Sequence, residues 1–205
     1  MEPEVITACE NVCRDFYWVR PFTEWLSDFA IIVGLAVALY QLGVWRREHV
    51  AKRKSETALK LLSVSYAIKR AFAAVRSAME QIPSDVGNKT DAIIAAKWDR
   101  LVSYSSEFDE LRELQVLHDA LVGSRDVQEA VEELFDVRQE IFAALSTLSG
   151  WKIDQYSKSE HVALHQELER SIYSMGGKYD KLGPRVNAAI DKLRASLLPE
   201  IRLER

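Results

Sequence analysis

The fold is decided by residues 29–45, FAIIVGLAVALYQLGVW, a stretch of 17 residues without a charge, of which 14 are apolar or aromatic. Extended back to Leu26, it gives about 20 helical residues and a length of roughly 30 Å, which matches the hydrocarbon core of a bilayer. Trp25 and Trp45 stand at its ends, where membrane helices place aromatic rings at headgroup level. The pattern predicts a transmembrane helix over residues 25–45.

Two other interpretations of this stretch are open. It fits a buried core helix of a soluble protein, and Ala36-Val37-Ala38 resembles a signal-peptide cleavage site. A signal peptide, however, has a basic segment before its apolar core, whereas residues 1–28 carry six acids and two bases. The sequence therefore favours a retained anchor over a cleaved one.

The basic residues on either side of the stretch predict its orientation. Residues 1–28 contain two Lys or Arg, and residues 46–60 contain six. Because the side richer in Lys and Arg stays in the cytoplasm, we expect the N-terminus outside and the C-terminus inside a bacterial inner membrane. Such bases also bind anionic lipid headgroups, at about 1 kcal/mol each near the surface. The expected headgroup contacts are Arg46, Arg47, Lys52, Arg53 and Lys54, a run that could also bind RNA.

Small residues form a line along the predicted transmembrane helix. Ala30, Gly34 and Ala38 recur every four residues, and Gln41 continues the same side. Small residues at this spacing let helix backbones approach closely, and an amide can hydrogen-bond across the contact. We therefore expect the chain to form a homo-oligomer through this face.

The segment before the span, residues 1–24, is predicted to be extracytoplasmic. Residues 5–18 have an amphipathic helical pattern, which Pro21 separates from the span. Such a helix could lie on the outer membrane surface. Cys9 and Cys13, on one face of it, are too far apart in a helix for an unstrained disulfide.

Residues 46–205 are predicted to form a cytoplasmic antiparallel helical bundle, and the whole chain to be all-α. Gly and Pro are rare here and mark the helix ends. The intervals between them predict helices over 46–82, 90–122, 125–149, 159–175 and 184–198. Thr90 or Asp91 and Ser124 are the expected N-caps of the second and third helices, and Pro199 the stop of the last. Apolar residues recur every seven positions, as in Val127, Leu134, Ile141 and Leu148.

The chain lacks the glycine-rich phosphate loops and nucleophile motifs of common enzymes. His161 and His165, four residues apart, could present two imidazoles to one metal, although His165 also lines up with apolar positions. No cofactor is expected. The stretch 106–140 holds eleven acids against three Arg; it is either a solvated face or a surface for a basic partner, such as residues 46–60 of a neighbouring subunit. A net charge of −4 makes nucleic acid an unlikely partner for the whole chain.

One motif points to an enzyme. Arg112-Glu-Leu-Gln-Val-Leu-His118 is similar to the R-x4-6-H motif of HEPN ribonucleases, which are all-helical and build a composite site across a dimer. The resemblance implies catalytic roles for Arg112 and His118. The family usually has Asn, Asp or His directly after the Arg, where this chain has Glu113. His118 also falls seven residues after Leu111 on the apolar face, the usual place of a core residue.

The layout suggests the function more than the motif does. The run Tyr40-Gln-Leu-Gly-Val-Trp-Arg-Arg-Glu48, followed by a long helix and a helical domain, resembles uncharacterised bacterial single-pass membrane proteins. The architecture is also similar to the HEPN-like membrane accessory proteins of type VI-B CRISPR systems, which form pore-like oligomers. We expect a non-enzymatic, oligomerising membrane protein that presents its bundle to a cytoplasmic protein partner. It would act as a scaffold or regulator, or as a stress or phage-defence effector; the alternative is a membrane-anchored HEPN-like ribonuclease.

Overall fold

The structure, a computed structural model, describes residues 19–78, 89–150, 159–174 and 180–202. Within these ranges every regular element is a helix, which confirms the all-α class. The helices are α1 (Val19–Val75), α2 (Lys89–Ser103), α3 (Ser105–Leu121), α4 (Arg125–Ser149), α5 (Ser159–Ile172) and α6 (Gly183–Ile201). The amphipathic pattern predicted over residues 5–18 lies outside the described residues.

The chain forms two compact units that divide between Ala51 and Lys52. In the second unit α4 is the central helix, because it packs against α2, α3, α5 and α6. Its apolar positions at seven-residue spacing are all at most 4% exposed, as the sequence predicts: Val127, Leu134, Ile141 and Leu148. The second half of α1 contributes Leu61, Ile68, Phe72 and Val75 to the same core.

Polar contacts between helices fix their directions. Along α4, Glu129 contacts Lys192 at 2.7 Å and the later Glu140 contacts the earlier Arg185 at 2.7 Å. Partner numbers fall in α6 as they rise in α4, so these two helices are antiparallel. Ser55 near the start of the second unit likewise donates to the carbonyl oxygen of Ile201, at the far end of α6.

The helix predicted over 90–122 is two helices, α2 and α3, separated at Tyr104. Tyr104 has φ −95° and ψ 10°, outside the helical range. Three serines surround it, and the Ser103 hydroxyl donates to the carbonyl oxygen of Arg100 at 2.7 Å. Serine side chains compete in this way for helix backbone groups, which weakens the helix locally. Thr90 and Asp91 lie in the first turn of α2, which begins at Lys89, so neither is its N-cap.

Three further boundaries bear on the predicted helix ends. α1 ends at Val75 rather than at Ile82, which lies outside the described residues. α6 continues through Pro199 to Ile201; the carbonyl that loses its donor belongs to the exposed Ala195, where water can satisfy it. Ser124 occupies the N-cap position of α4, as expected, but without a side-chain capping bond. It follows Gly123, whose φ of 72° ends the previous helix in the left-handed region.

Candidate membrane-spanning helix and polar sites of the bundle

The first half of α1 exposes apolar side chains along its whole length. Among the described residues, α1 is the one helix long and apolar enough to span a membrane; the mean hydropathy of its most apolar window is 1.7. None of that window is buried within the chain. Ile31 is 66% exposed, Leu35 62% and Tyr40 74%. A core helix of a soluble protein buries such residues within its own fold. The described residues of this chain do not bury them.

The line of small residues on this helix is open to a second helix. Ala30, Gly34, Ala38 and Gln41 are all exposed. Among the described residues, no heavy atom outside the helix's own backbone lies within 4 Å of a Cβ placed on Gly34. A neighbouring helix could therefore approach the backbone closely at this point.

The predicted headgroup residues are accessible. Arg46, Arg47, Lys52 and Arg53 are exposed and Lys54 is half-buried. Lys52 approaches Glu56 one turn later at 3.9 Å, with both side chains more than half exposed. Such an exposed pair contributes at most about 1 kcal/mol, so it does not neutralise the positive charge of residues 46–54.

The C-terminal end of α1 holds a buried guanidinium that joins three chain segments. Arg76 is 3% exposed. Its Nε donates to the carbonyl oxygen of Ser171 at 3.0 Å, and its Nη2 donates to those of Arg170 at 3.2 Å and Tyr173 at 3.0 Å. These carbonyls lie at the C-terminal end of α5, where a helix has free acceptors and a partial negative charge. Arg76 therefore caps α5.

Asp180 completes this site from the chain just before α6. Its Oδ1 accepts from Arg76 Nη2 at 2.7 Å and from the backbone N–H of Gly183 at 2.9 Å. Burial opposes ionisation of this carboxyl, but the Gly183 and Arg76 hydrogen bonds outweigh it and lower the pKa of Asp180. The carboxylate thus pairs with the buried cation and caps the start of α6 at once.

A second buried cation caps α1 itself. Lys97 in α2 is 0% exposed, and its Nζ donates to the carbonyl oxygens of Val75 at 2.9 Å and Ser77 at 2.6 Å. Arg100, one turn later, donates to the carbonyl oxygen of Ala74 at 2.8 Å. Cations from α2 thus satisfy free carbonyls at the end of α1, which lies at Val75. The sequence-based prediction did not include this cap, although a lysine in the middle of the apolar stripe of α2 is a signal for it.

The structure does not bring Arg112 and His118 to one exposed site. Arg112 is half-exposed, contacts Glu132 at 2.5 Å and lies 4.0 Å above the Phe135 ring, so it engages α4. His118 is 1% exposed, and its Nε2 lies 3.0 Å from Glu200 Oε2 in α6. The HEPN resemblance gains no supporting geometry within this chain.

The histidine pair also lacks a described metal site. His165 is half-buried, with its Nδ1 3.7 Å from Glu169 Oε2. The side chain of His161 lies outside the described side chains. Among the described residues, no three His, Cys, Asp or Glu side chains are grouped as metal ligands would be.

The acidic residues of α4 are used within the chain. Arg185 bridges Glu133 and Glu140 at 2.6 and 2.7 Å, and Lys192 contacts Asp126 and Glu129 at 3.2 and 2.7 Å. For Glu140, burial alone would raise the pKa, but hydrogen bonds from Lys181 and Arg185 lower it overall. Glu133 and Glu140 therefore form one side of the α4–α6 contact, whereas Asp126 and Glu129 pair with Lys192 at its solvent-exposed edge.

Comparisons with known proteins found no match to this chain among family models, curated proteins or solved structures.

Proposed function

We propose that this protein is a single-pass anchor of the bacterial inner membrane that self-associates and presents its helical bundle to a protein partner in the cytoplasm. The observation that carries the proposal is the apolar window of α1, none of which is buried within the chain. The described residues do not bury this stretch, and lipid would supply an apolar environment along its whole length.

The bases at 46–54 support the proposed orientation. They outnumber the two bases of residues 1–28 and would lie at the anionic cytoplasmic leaflet. The two cysteines of the chain, Cys9 and Cys13, allow a direct test because both precede the span. After reduction, a membrane-impermeant maleimide should label the wild type in intact cells. A Cys9→Ser/Cys13→Ser chain carrying Ser146→Cys should react only after lysis; labelling in the reverse order would refute the orientation.

Self-association is supported by the open line of small residues. Gly34→Leu with Ala38→Leu places two large side chains where a second backbone would approach. We expect smaller oligomers for this variant than for Leu35→Ala with Leu39→Ala, which changes two side chains on another side. Equal oligomer size for both variants, measured by light scattering in mild detergent, would remove the small-residue interface.

The cellular role is proposed as a scaffold or regulator, or as a stress or phage-defence effector at the membrane. Membrane potential in bacteria expressing the chain separates these roles, with a version lacking residues 1–45 as control. Depolarisation by the full chain alone identifies an effector. A steady potential favours a scaffold, and the cytoplasmic partner is then sought by co-purification with the full-length protein.

A further inference from the structure

Two helices carry exposed apolar side chains within the second unit. On α1, Leu59 and Tyr66 lie seven residues apart and are 56% and 37% exposed. On α3, Val116 is 63% exposed and Leu117 beside it is 48% exposed. Side chains seven residues apart stay on one seam of a helix, which is the spacing along which two helices pack. The α1 line can therefore receive a second helix, and the neighbouring Val116 and Leu117 give α3 an exposed apolar edge.

In the part of the chain that the structure describes, the unpaired charges beside Tyr66 on α1 and Val116 on α3 have opposite signs. Arg70, four residues after Tyr66, is an exposed base on the α1 line. On α3, Asp109 and Glu113 are exposed and precede Val116 by seven and three residues. Among the described residues, none of these three charged side chains has an ion-pair partner. Charge complementarity between two surfaces of the same chain identifies a second copy as the occupant of each.

We propose that the outer face of α1 in one copy packs against the outer face of α3 in another copy. Antiparallel alignment with Val116 on Tyr66 places Arg70 beside Glu113, because each of these charges lies about one turn beyond the apolar pair, and Asp109 lies about one turn further along α3. Parallel alignment with Val116 on Leu59 would instead place Glu113 opposite Glu56, a repulsive contact. The charges therefore favour the antiparallel register over this parallel one. This inference rests on the proposed self-association and names a contact for it.

Disulfide trapping in the membrane tests the contact. In the Cys9→Ser/Cys13→Ser full-length chain, one tagged copy carries Tyr66→Cys and a differently tagged copy carries Val116→Cys. Mild oxidation of cells expressing both should link the two tags. The matched control replaces Val116→Cys by Ser146→Cys, an exposed position on α4. We expect at least tenfold more linked product for the first pair than for the control.

Charge reversal tests the register independently. Arg70→Glu in one copy, or Glu113→Arg in the other, should each reduce the linked product several-fold, because like charges then face each other. The two reversals together should restore most of it. Circular dichroism of each purified variant should give the wild-type helix content, since all of these side chains are exposed. Additive losses without restoration would overturn the proposed register.

Amine cross-linking of the wild type in the same membranes separates this inference from the proposed function. If copies are cross-linked but the Tyr66→Cys and Val116→Cys pair gives no more product than its control, the α1–α3 contact is refuted and self-association stands. If the wild type is monomeric, both are refuted. Tenfold preferential trapping, with restoration by the double reversal, supports the contact.

Discussion

Replacing Leu35 by arginine tests the bilayer as the environment of α1. Leu35 lies at the centre of residues 25–45 and is 62% exposed, so the change disturbs no packing within the described chain. On a translocon-derived scale, leucine at the centre of a span contributes about −0.3 to −0.6 kcal/mol and arginine opposes insertion by about 2.5 to 3.5. The exchange therefore costs about 3 to 4 kcal/mol of insertion free energy.

This cost is comparable to the favourable insertion free energy of all the apolar side chains of the span together. Residues 29–45 contain nine Leu, Ile, Val or Phe, which on the same scale favour insertion by about 3 to 5 kcal/mol in total. Leu35→Arg leaves a net preference near zero. Because 1.4 kcal/mol is a factor of ten in an equilibrium constant, the ratio of inserted to uninserted protein should fall by roughly 100- to 1,000-fold.

The assay is alkaline extraction of isolated membranes, with the protein quantified in pellet and supernatant. The control is Leu59→Arg, which makes the same exchange on the same helix at a residue of similar exposure, 56%, outside residues 25–45. Wild type and Leu59→Arg should remain in the pellet, whereas a large part of Leu35→Arg should be extracted. The reasoning is refuted if wild type is soluble without detergent, or if the two arginine variants extract equally.

Three further predictions concern the bundle. Asp180→Asn removes the carboxylate that pairs with the Arg76 guanidinium, whose side chain is 4% exposed. The unfolding free energy measured by urea titration should therefore fall by about 3 kcal/mol. The control Glu129→Gln, at an exposed pair, should leave the urea midpoint unchanged. Lys97→Met should lower stability by about 2 to 3 kcal/mol because the buried carbonyl of Val75 and the half-buried one of Ser77 lose a charged donor. An unchanged urea midpoint would contradict this capping role. Since the fold lowers the pKa of Asp180, its contribution is complete above the unfolded pKa of about 3.9 and is lost as pH falls through the lower folded value. Wild-type stability should therefore decline below about pH 4, and more steeply than that of Asp180→Asn.

Helix periodicity predicts much of this fold because it depends on local pattern. The seven-residue recurrence of Val127, Leu134, Ile141 and Leu148 identifies the buried side of α4, and a glycine identifies the end of the preceding helix. The break at Tyr104 does not show in this pattern, since a short run of serines leaves the apolar period intact while weakening the helix. Pro199 predicts a helix end that the structure does not have. Proline removes one backbone hydrogen bond, but the carbonyl that loses this bond is exposed, so α6 continues to Ile201.

The partners of the buried cations could not be predicted from the sequence, because they are backbone carbonyls. Arg76 binds the end of a helix nearly a hundred residues away, and Lys97 binds the end of α1. Backbone oxygens leave no residue signature, so the sequence can mark Lys97 as a base within an apolar stripe but cannot identify the carbonyls that it binds. Caps of this kind become visible only when helix ends are located in space.

Contacts between helices also change the interpretation of the acidic stretch 106–140. In sequence its eleven acids form one cluster, but α6 supplies Arg185 and Lys192 to the acids of α4, while Asp109 and Glu113 on α3 face solvent. Within the described ranges, Asp109 and Glu113 thus leave unpaired negative charge on α3, where it adjoins the exposed Val116. A charged helix that contacts only water needs no exposed apolar side chain such as Val116. A helix that docks on a partner uses such a side chain for affinity and the charges for specificity. We therefore expect recognition by a basic partner to depend on the acidic face of α3, where these unpaired acids and an exposed apolar side chain lie together.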